Sequence, residues 1–321
     1  MYVDILNFMS NETPILTKKH LKILENSKKE MLQSDSIDSL LDNKMTFQND
    51  INFSEPTKLH YIGLRKHVSY SEIATWMDCA HKHKLKYLDE IKVEGDGPSE
   101  HTEYGQVIHD ALEEFLKTRQ MPSIEALRAQ LTQMFSVLPN ASELKESDWH
   151  DTLEPVLSEV PAFMDETFGS DWEYIAAEYP LMETLEHHDH MFKGFIDGII
   201  KYTGKTGKRQ YFFLDWKSCS YFWPAAKRRD PKKTIQLAFY KHFYSRKYNI
   251  QLKDSACGFI LLRRSKKPGN CELVTVSVGE KAVENAMGTI DNMLGYIQKK
   301  MFPKNRESCK FCPYAGTEHC V

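Results

Sequence analysis

No stretch of this 321-residue chain approaches the roughly 20 consecutive apolar residues that a membrane-spanning helix needs. The amino terminus shows no apolar leader, so the expected setting is not a secretory one. Cysteine is sparse and odd in number, and seven thiols without a leader argue against a disulfide scaffold and for a reducing, cytoplasmic compartment. Internal repeats are lacking as well, which removes solenoids and arrays. Net charge is nearly absent, at −3, and taken alone it names no acidic or basic partner.

That small total conceals two opposed blocks. Residues 94–191 hold 22 acidic against 4 basic side chains, a balance of −18, whereas residues 201–270 hold 18 basic against 3 acidic, a balance of +15. A basic field of that size suits a polyanion, because phosphate contacts supply most non-specific affinity for nucleic acids. Lys227, Arg228 and Arg229, with Lys232 and Lys233, could track a phosphate backbone, and Tyr221, Phe222 and Trp223 could either stack on unpaired bases or pack in the core. The acidic block carries helix-period apolar residues at 124–138 and 149–168, so its carboxylates read as a solvated face.

The basic block contains a chemically unusual run. Asp197, in a Gly-Phe-Ile-Asp-Gly segment, precedes Asp215 and Lys217, in a Phe-Phe-Leu-Asp-Trp-Lys segment, and both segments read as strands joined by a hairpin at residues 203–207. Period-2 geometry puts Asp215 and Lys217 on one face and Trp216 on the other. Two carboxylates and an ammonium converging on one face call for a neutralising partner, and a hard divalent cation with oxygen ligands provides it. Such a cation performs phosphodiester hydrolysis elsewhere, although an Asp-x-Lys triplet alone equally describes a solvated surface ion pair. Upstream, His109 lies on an amphipathic helix opening near Gly105, and Glu178 sits where a strand could lead into the Asp197 strand. Downstream, Gln236 and Tyr240 stand at i and i+4 on one helix face.

Taken in order over roughly 130 residues, His109, Glu178, Asp197, Asp215 with Lys217, and Gln236 with Tyr240 resemble the RecB-like branch of the PD-(D/E)XK nuclease superfamily, which includes the RecB and AddB nuclease domains and the iron–sulfur nucleases of CRISPR adaptation. The resemblance implies that His109, Asp197 and Asp215 are ligands of Mg²⁺ or Mn²⁺, together with Glu178 and the backbone carbonyl of Trp216. It implies that Asp197, Asp215 and Lys217 are catalytic, with Lys217 as base or water-orienting group, and that Gln236 and Tyr240 touch DNA near the scissile phosphate.

The tail adds Cys309-Lys310-Phe311-Cys312 and Cys320, a metal-ligand spacing one thiol short of a complete set. Cys79, far upstream, is the candidate fourth. The resemblance supports that choice, since iron–sulfur members of the family take one Cys before the core and three after it; a [4Fe–4S] cluster is then expected, with structural Zn²⁺, aided by His319, as the alternative. Cys219, Cys257 and Cys271 read as ordinary buried thiols.

These readings predict an α/β fold with a mixed central sheet flanked by helices, a largely helical first half and a cysteine-rich tail. The expected division is an extension at residues 1–58, with one or two short amphipathic helices, and a nuclease domain at 59–321. Within it fall a helical part (66–170), a catalytic core (171–278) and a terminal helix with the cysteines (279–321). The expected activity is that of a metal-dependent DNA exonuclease on single strands or DNA ends, serving replication, recombination or repair, in a viral system or another. A helicase, recombinase or other replication protein would dock through residues 1–58. The competing expectations are a catalytically silent DNA-binding scaffold, separable by binding without cleavage, and a spacer-processing nuclease of CRISPR adaptation.

Overall fold

The computed structural model describes residues 67–93, 97–139, 141–205 and 207–320, so the extension predicted at 1–58 lies outside the described residues. Six strands form one mixed sheet: β1 (His67–Ser69), β2 (Glu173–Thr184), β3 (Met191–Thr203), β4 (Arg209–Cys219), β5 (Ser255–Arg263) and β6 (Cys271–Val276). Their order is β1-β3-β4-β5-β6, with β2 also paired to β3. The predicted hairpin is present, with β3 and β4 antiparallel, and β4 and β5 run parallel at the centre.

The main helices are α1 (Tyr70–Asp78), α2 (Glu100–Thr118), α3 (Ile124–Phe135), α4 (Glu146–Leu157), α5 (Val160–Phe168), α6 (Pro231–Lys247) and α7 (Glu280–Gln298). Two differ from expectation. Helix α2 starts at Glu100 rather than near Gly105, because the Ser99 and Thr102 side chains form a reciprocal capping box. The helix expected over 149–168 is broken after Leu157, since Pro161 cannot donate to the carbonyl four residues back and instead sits in the first turn of α5.

Each face of the sheet buries its own core. Alternate residues of β4 divide between them: Phe213 joins α6 and α7 on one side, whereas Phe212, Leu214 and Trp216 join helices α2 to α5 on the other. Full burial of one such aromatic is worth about 2 to 3 kcal/mol, so the side each residue takes, and with it the register of β4, is firmly set. Asp215 and Lys217 share the parity of Phe213, and Trp216 has the opposite one, as the alternation requires. At Gly198 an added Cβ would stand 2.6 Å from Leu214 and 2.7 Å from Leu116, which is why α2 can lie so close against the sheet.

Candidate active site and cysteine cavity

The β3–β4 ladder ends at Gly198 paired with Leu214, one residue short of Asp197 and Asp215. Beyond that pair the strands part, and β1 takes up the freed edge of β3 at Met191, Phe192 and Lys193. The two aspartates therefore stand in a fork. The Trp216 N–H, left without a ladder partner, donates to Asp197 Oδ2 at 2.8 Å.

Helix α2 closes the fork with His109. Its Nδ1 lies 3.5 Å from Asp197 Oδ2 and 3.9 Å from Glu178 Oε1, and its Nε2 is 3.0 Å from the Trp216 carbonyl. Ligand atoms of His109, Glu178 and Asp197 all lie within 4.8 Å of one another. Glu178 reaches this point through an unusual backbone: inside β2 it adopts φ +48°, the left-handed region, between the ladder pairs Ala177–Gly198 and Tyr179–Ile196. Such a conformation in a side-chain-bearing residue costs on the order of 1 to 3 kcal/mol and is concentrated at functional sites.

Asp215 is fully buried, and neither of its oxygens has a formed hydrogen bond. Lys217 Nζ approaches Oδ2 at 2.5 Å as an ion pair. Lys217 supplies the cation that a buried carboxylate requires, and Oδ1 is left without a hydrogen-bond partner among the described residues. The donor set that comes together, one imidazole and the two carboxylates of Glu178 and Asp197, fits a hard divalent ion, and the expected ligand Asp215 stands outside that trio. The 3.0 Å between His109 Nε2 and the Trp216 carbonyl suits either a hydrogen bond or two adjacent ligands of one ion.

Electrostatics bind these groups together. Burial and the neighbouring Asp215 push the Asp197 carboxyl up to about 7. Burial lowers the His109 imidazole, but Asp197 and the nearby Glu178 carboxylate outweigh it and raise the group to about 9. At Lys217 burial likewise works against the charge and loses to Asp215 and Asp197, so the ammonium is held above its ordinary range.

Behind the fork, α6 presents Gln236 and Tyr240. The Gln236 Nε2 donates to the Tyr240 hydroxyl at 2.9 Å, and both side chains are buried. Burial, then Asp215 and Asp197, hold the phenol well above its ordinary value, so its proton stays on. Tyr70 on α1 also faces this pair of charges. Its hydroxyl donates to the Lys232 carbonyl at 2.8 Å, and burial pushes it up to about 12. Sequence reasoning did not select Tyr70, and no local pattern marks it.

The basic residues predicted as backbone contacts separate into two kinds. Arg228 pairs with Glu272 at 2.8 Å, and Lys232 pairs with Asp78 at 2.5 Å, so both hold the fold together. Lys227 and Arg229 are exposed. Lys233 is half-buried, with burial, then Lys217 and Lys227, lowering its ammonium, which places it beside the fork. Of the three aromatics, Trp223 is buried, Phe222 packs on the core and Tyr221 is 83 % exposed.

A second cluster lies at the end of α1. Cys79, Cys309, Cys312 and Cys320 all line one cavity of about 190 Å³. The Cys79 sulfur accepts backbone N–H groups from Asn305 at 3.3 Å and Lys82 at 3.5 Å. The tail is stitched to this turn by Asn305 Nδ2 and Ser308 Oγ, each donating to the Asp78 carbonyl at 2.8 Å. Further along, the Tyr314 hydroxyl donates to the Ile91 carbonyl at 2.8 Å. His81 Nε2 is 3.2 Å from the His319 carbonyl.

A family model described as the PD-(D/E)XK nuclease superfamily matches residues 67–317. No curated protein matches the chain. Among solved structures, a candidate exonuclease from Eubacterium rectale aligns at 12 % identity and TM-score 0.48, covering 82 % of this chain and 92 % of the other. The protein SSO0001 aligns at 10 % identity and TM-score 0.36, covering 78 % and 84 %.

Proposed function

The chain belongs to the PD-(D/E)XK nuclease superfamily, and from that premise we propose that the β3–β4 fork hydrolyses DNA phosphodiesters as an exonuclease acting on single strands or DNA ends, in replication, recombination or repair. The observation that carries this reading is the fork itself, where His109, Glu178 and Asp197 converge beside a buried Asp215 ion-paired with Lys217. His109, Glu178, Asp197 and Asp215 would hold Mg²⁺ or Mn²⁺, with the Trp216 carbonyl within reach through His109. A cation bound there supplies Lewis acidity toward a phosphate oxygen and the attacking water. Lys217, kept as an ammonium by the two aspartates, donates to the phosphate or orients the water. Gln236 and Tyr240 back the carboxylates from the buried side, and Lys233, Lys227 and Arg229 present positive charge to the strand.

For the cysteine cavity the reading is a [4Fe–4S] cluster held by Cys79, Cys309, Cys312 and Cys320, the hallmark of the RecB-like iron–sulfur branch. Its support is the gathering of all four thiols in one cavity and the two N–H donors on the Cys79 sulfur. Structural zinc held by the same thiols is the alternative. The domain reading follows: helical part, catalytic core, then a terminal helix and cysteine tail that return to α1.

The test is incubation of anaerobically purified protein with end-labelled single- and double-stranded DNA in Mg²⁺, Mn²⁺ or EDTA, beside Asp215→Ala. Metal-dependent shortening that the variant lacks is the expected result, and binding without shortening would overturn it. Visible absorption of the purified protein that bleaches on reduction is expected of the cluster; colourless protein with stoichiometric zinc would refute it.

A further inference from the structure

At the carboxyl ends of the parallel strands β4 and β5, Arg264 is held by several neighbours at once. Its guanidinium lies 4.0 Å above the Trp149 ring, its Nη1 is 3.2 Å from His101 Nδ1, and its Nη2 donates to Ser220 Oγ at 3.0 Å. The Arg264 backbone N–H donates to the Cys219 carbonyl at 2.7 Å, which ties the end of β5 to the end of β4. A guanidinium carries five N–H donors, and these two contacts leave others for a ligand. Beside Ser220 stands Tyr221, 83 % exposed although its neighbours Phe222 and Trp223 turn inward. Four residues of chain separate it from Lys217, at most about 14 Å even when fully extended.

An exposed ring beside an immobilised arginine is what a flexible strand needs: a platform for a base and a clamp for its phosphate. We propose that Tyr221 and Arg264 form a subsite for the unpaired strand entering the fork, in which Tyr221 stacks on a nucleobase and Arg264 holds an adjacent phosphate. This inference rests on the nuclease reading and adds to it the residues that would recognise an unpaired strand by stacking. The exposed Lys227 and Arg229, six and eight residues further on, supply charge of the matching sign. A duplex end offers no free base face at that position, so the subsite discriminates against it.

The test measures binding by the full-length protein of labelled oligonucleotides in EDTA, where no cleavage occurs, with a single abasic position moved stepwise along the strand. For the parent, one abasic position near the held end weakens binding roughly tenfold, and for Tyr221→Ala the same walk is flat because the stacking partner is gone. Tyr221→Ala weakens single-strand binding roughly tenfold and duplex binding by less than twofold, whereas Tyr221→Trp restores it. Arg264→Gln weakens single-strand binding and flattens its salt dependence, with Tyr221→Ala leaving that slope intact. Equal losses on single strand and duplex, or a flat abasic walk in a parent that does cleave, would overturn the inference and leave the nuclease reading standing. A parent that neither binds nor cleaves any DNA would overturn both.

Discussion

The fork and the cysteine cavity both gather ligand-type side chains, but they are assembled by different means. In the fork the side chains hang from ladders: Asp215 is flanked by β4–β5 pairs on every side, and Asp197 and Glu178 stand on β3 and β2, joined by the longest ladder of the sheet. In the cavity the thiols sit on a four-residue helical turn, a short 3₁₀ segment and a loop, held by a few hydrogen bonds around Asp78 and Asn305. A site built into a sheet keeps its geometry when its ion leaves, whereas a site built from loops depends on whatever binds there.

The largest expected break in this comparison is Asp215→Ala. It should cut nuclease activity roughly a hundredfold or more and lower the melting temperature of metal-free protein, because the Lys217 ammonium loses the buried carboxylate paired with it. Activity and thermal melting on the same preparation check both halves. Cys309→Ser should act in its own region instead: residues 299–320 become sensitive to protease and the melting temperature drops, while Mn²⁺ binding at the fork persists. Calorimetric titration with Mn²⁺ alongside limited proteolysis would separate the two effects.

Acidity sharpens the contrast next. Asp197 is raised to about 7 and His109 to about 9, so each binds its proton more tightly folded than unfolded. The stability they lend is full below their unfolded values and is lost as pH climbs, for Asp197 toward 7 and for His109 toward 9. Metal-free protein should therefore melt at progressively lower temperature from about pH 4 to pH 9 through these two groups, whereas Mn²⁺ affinity should rise across the upper part of that range with release of protons. Melting curves with and without Mn²⁺ would show opposite trends; parallel ones would refute the ligand assignment. The smallest effect belongs to Asn305→Ala, which removes a cap and a tie to Asp78 and should cost about 1 kcal/mol by chemical denaturation, confined to the tail.

Much of this was legible in the residues. Local rules suffice for the β3–β4 hairpin and the terminal helix, since each depends on period, turn chemistry and propensity within one segment. The order of His109, Glu178, Asp197, Asp215 and Lys217 was visible only through resemblance, because nothing local says that α2 crosses the fork. The capping box of α2 was overlooked, and the break before Pro161 was smoothed over by a continuous apolar period. Arg228 and Lys232 read as phosphate contacts because their acidic partners, Glu272 and Asp78, are 44 and 154 positions away. The left-handed turn at Glu178 and the packing of Tyr70 against the fork are products of tertiary contact and leave no mark on the sequence.

The bond between Cys79 and the Asn305 N–H spans 226 positions of chain. At the usual pace of protein synthesis, about 5 to 20 residues per second, the first thiol waits on the order of 10 to 50 seconds for the segment that will shelter it. During that interval the sheet can already form, since the last strand ends at Val276. The cysteine lobe is thus the closing step of maturation, and a nascent chain would carry a finished fork before it carried a finished tail.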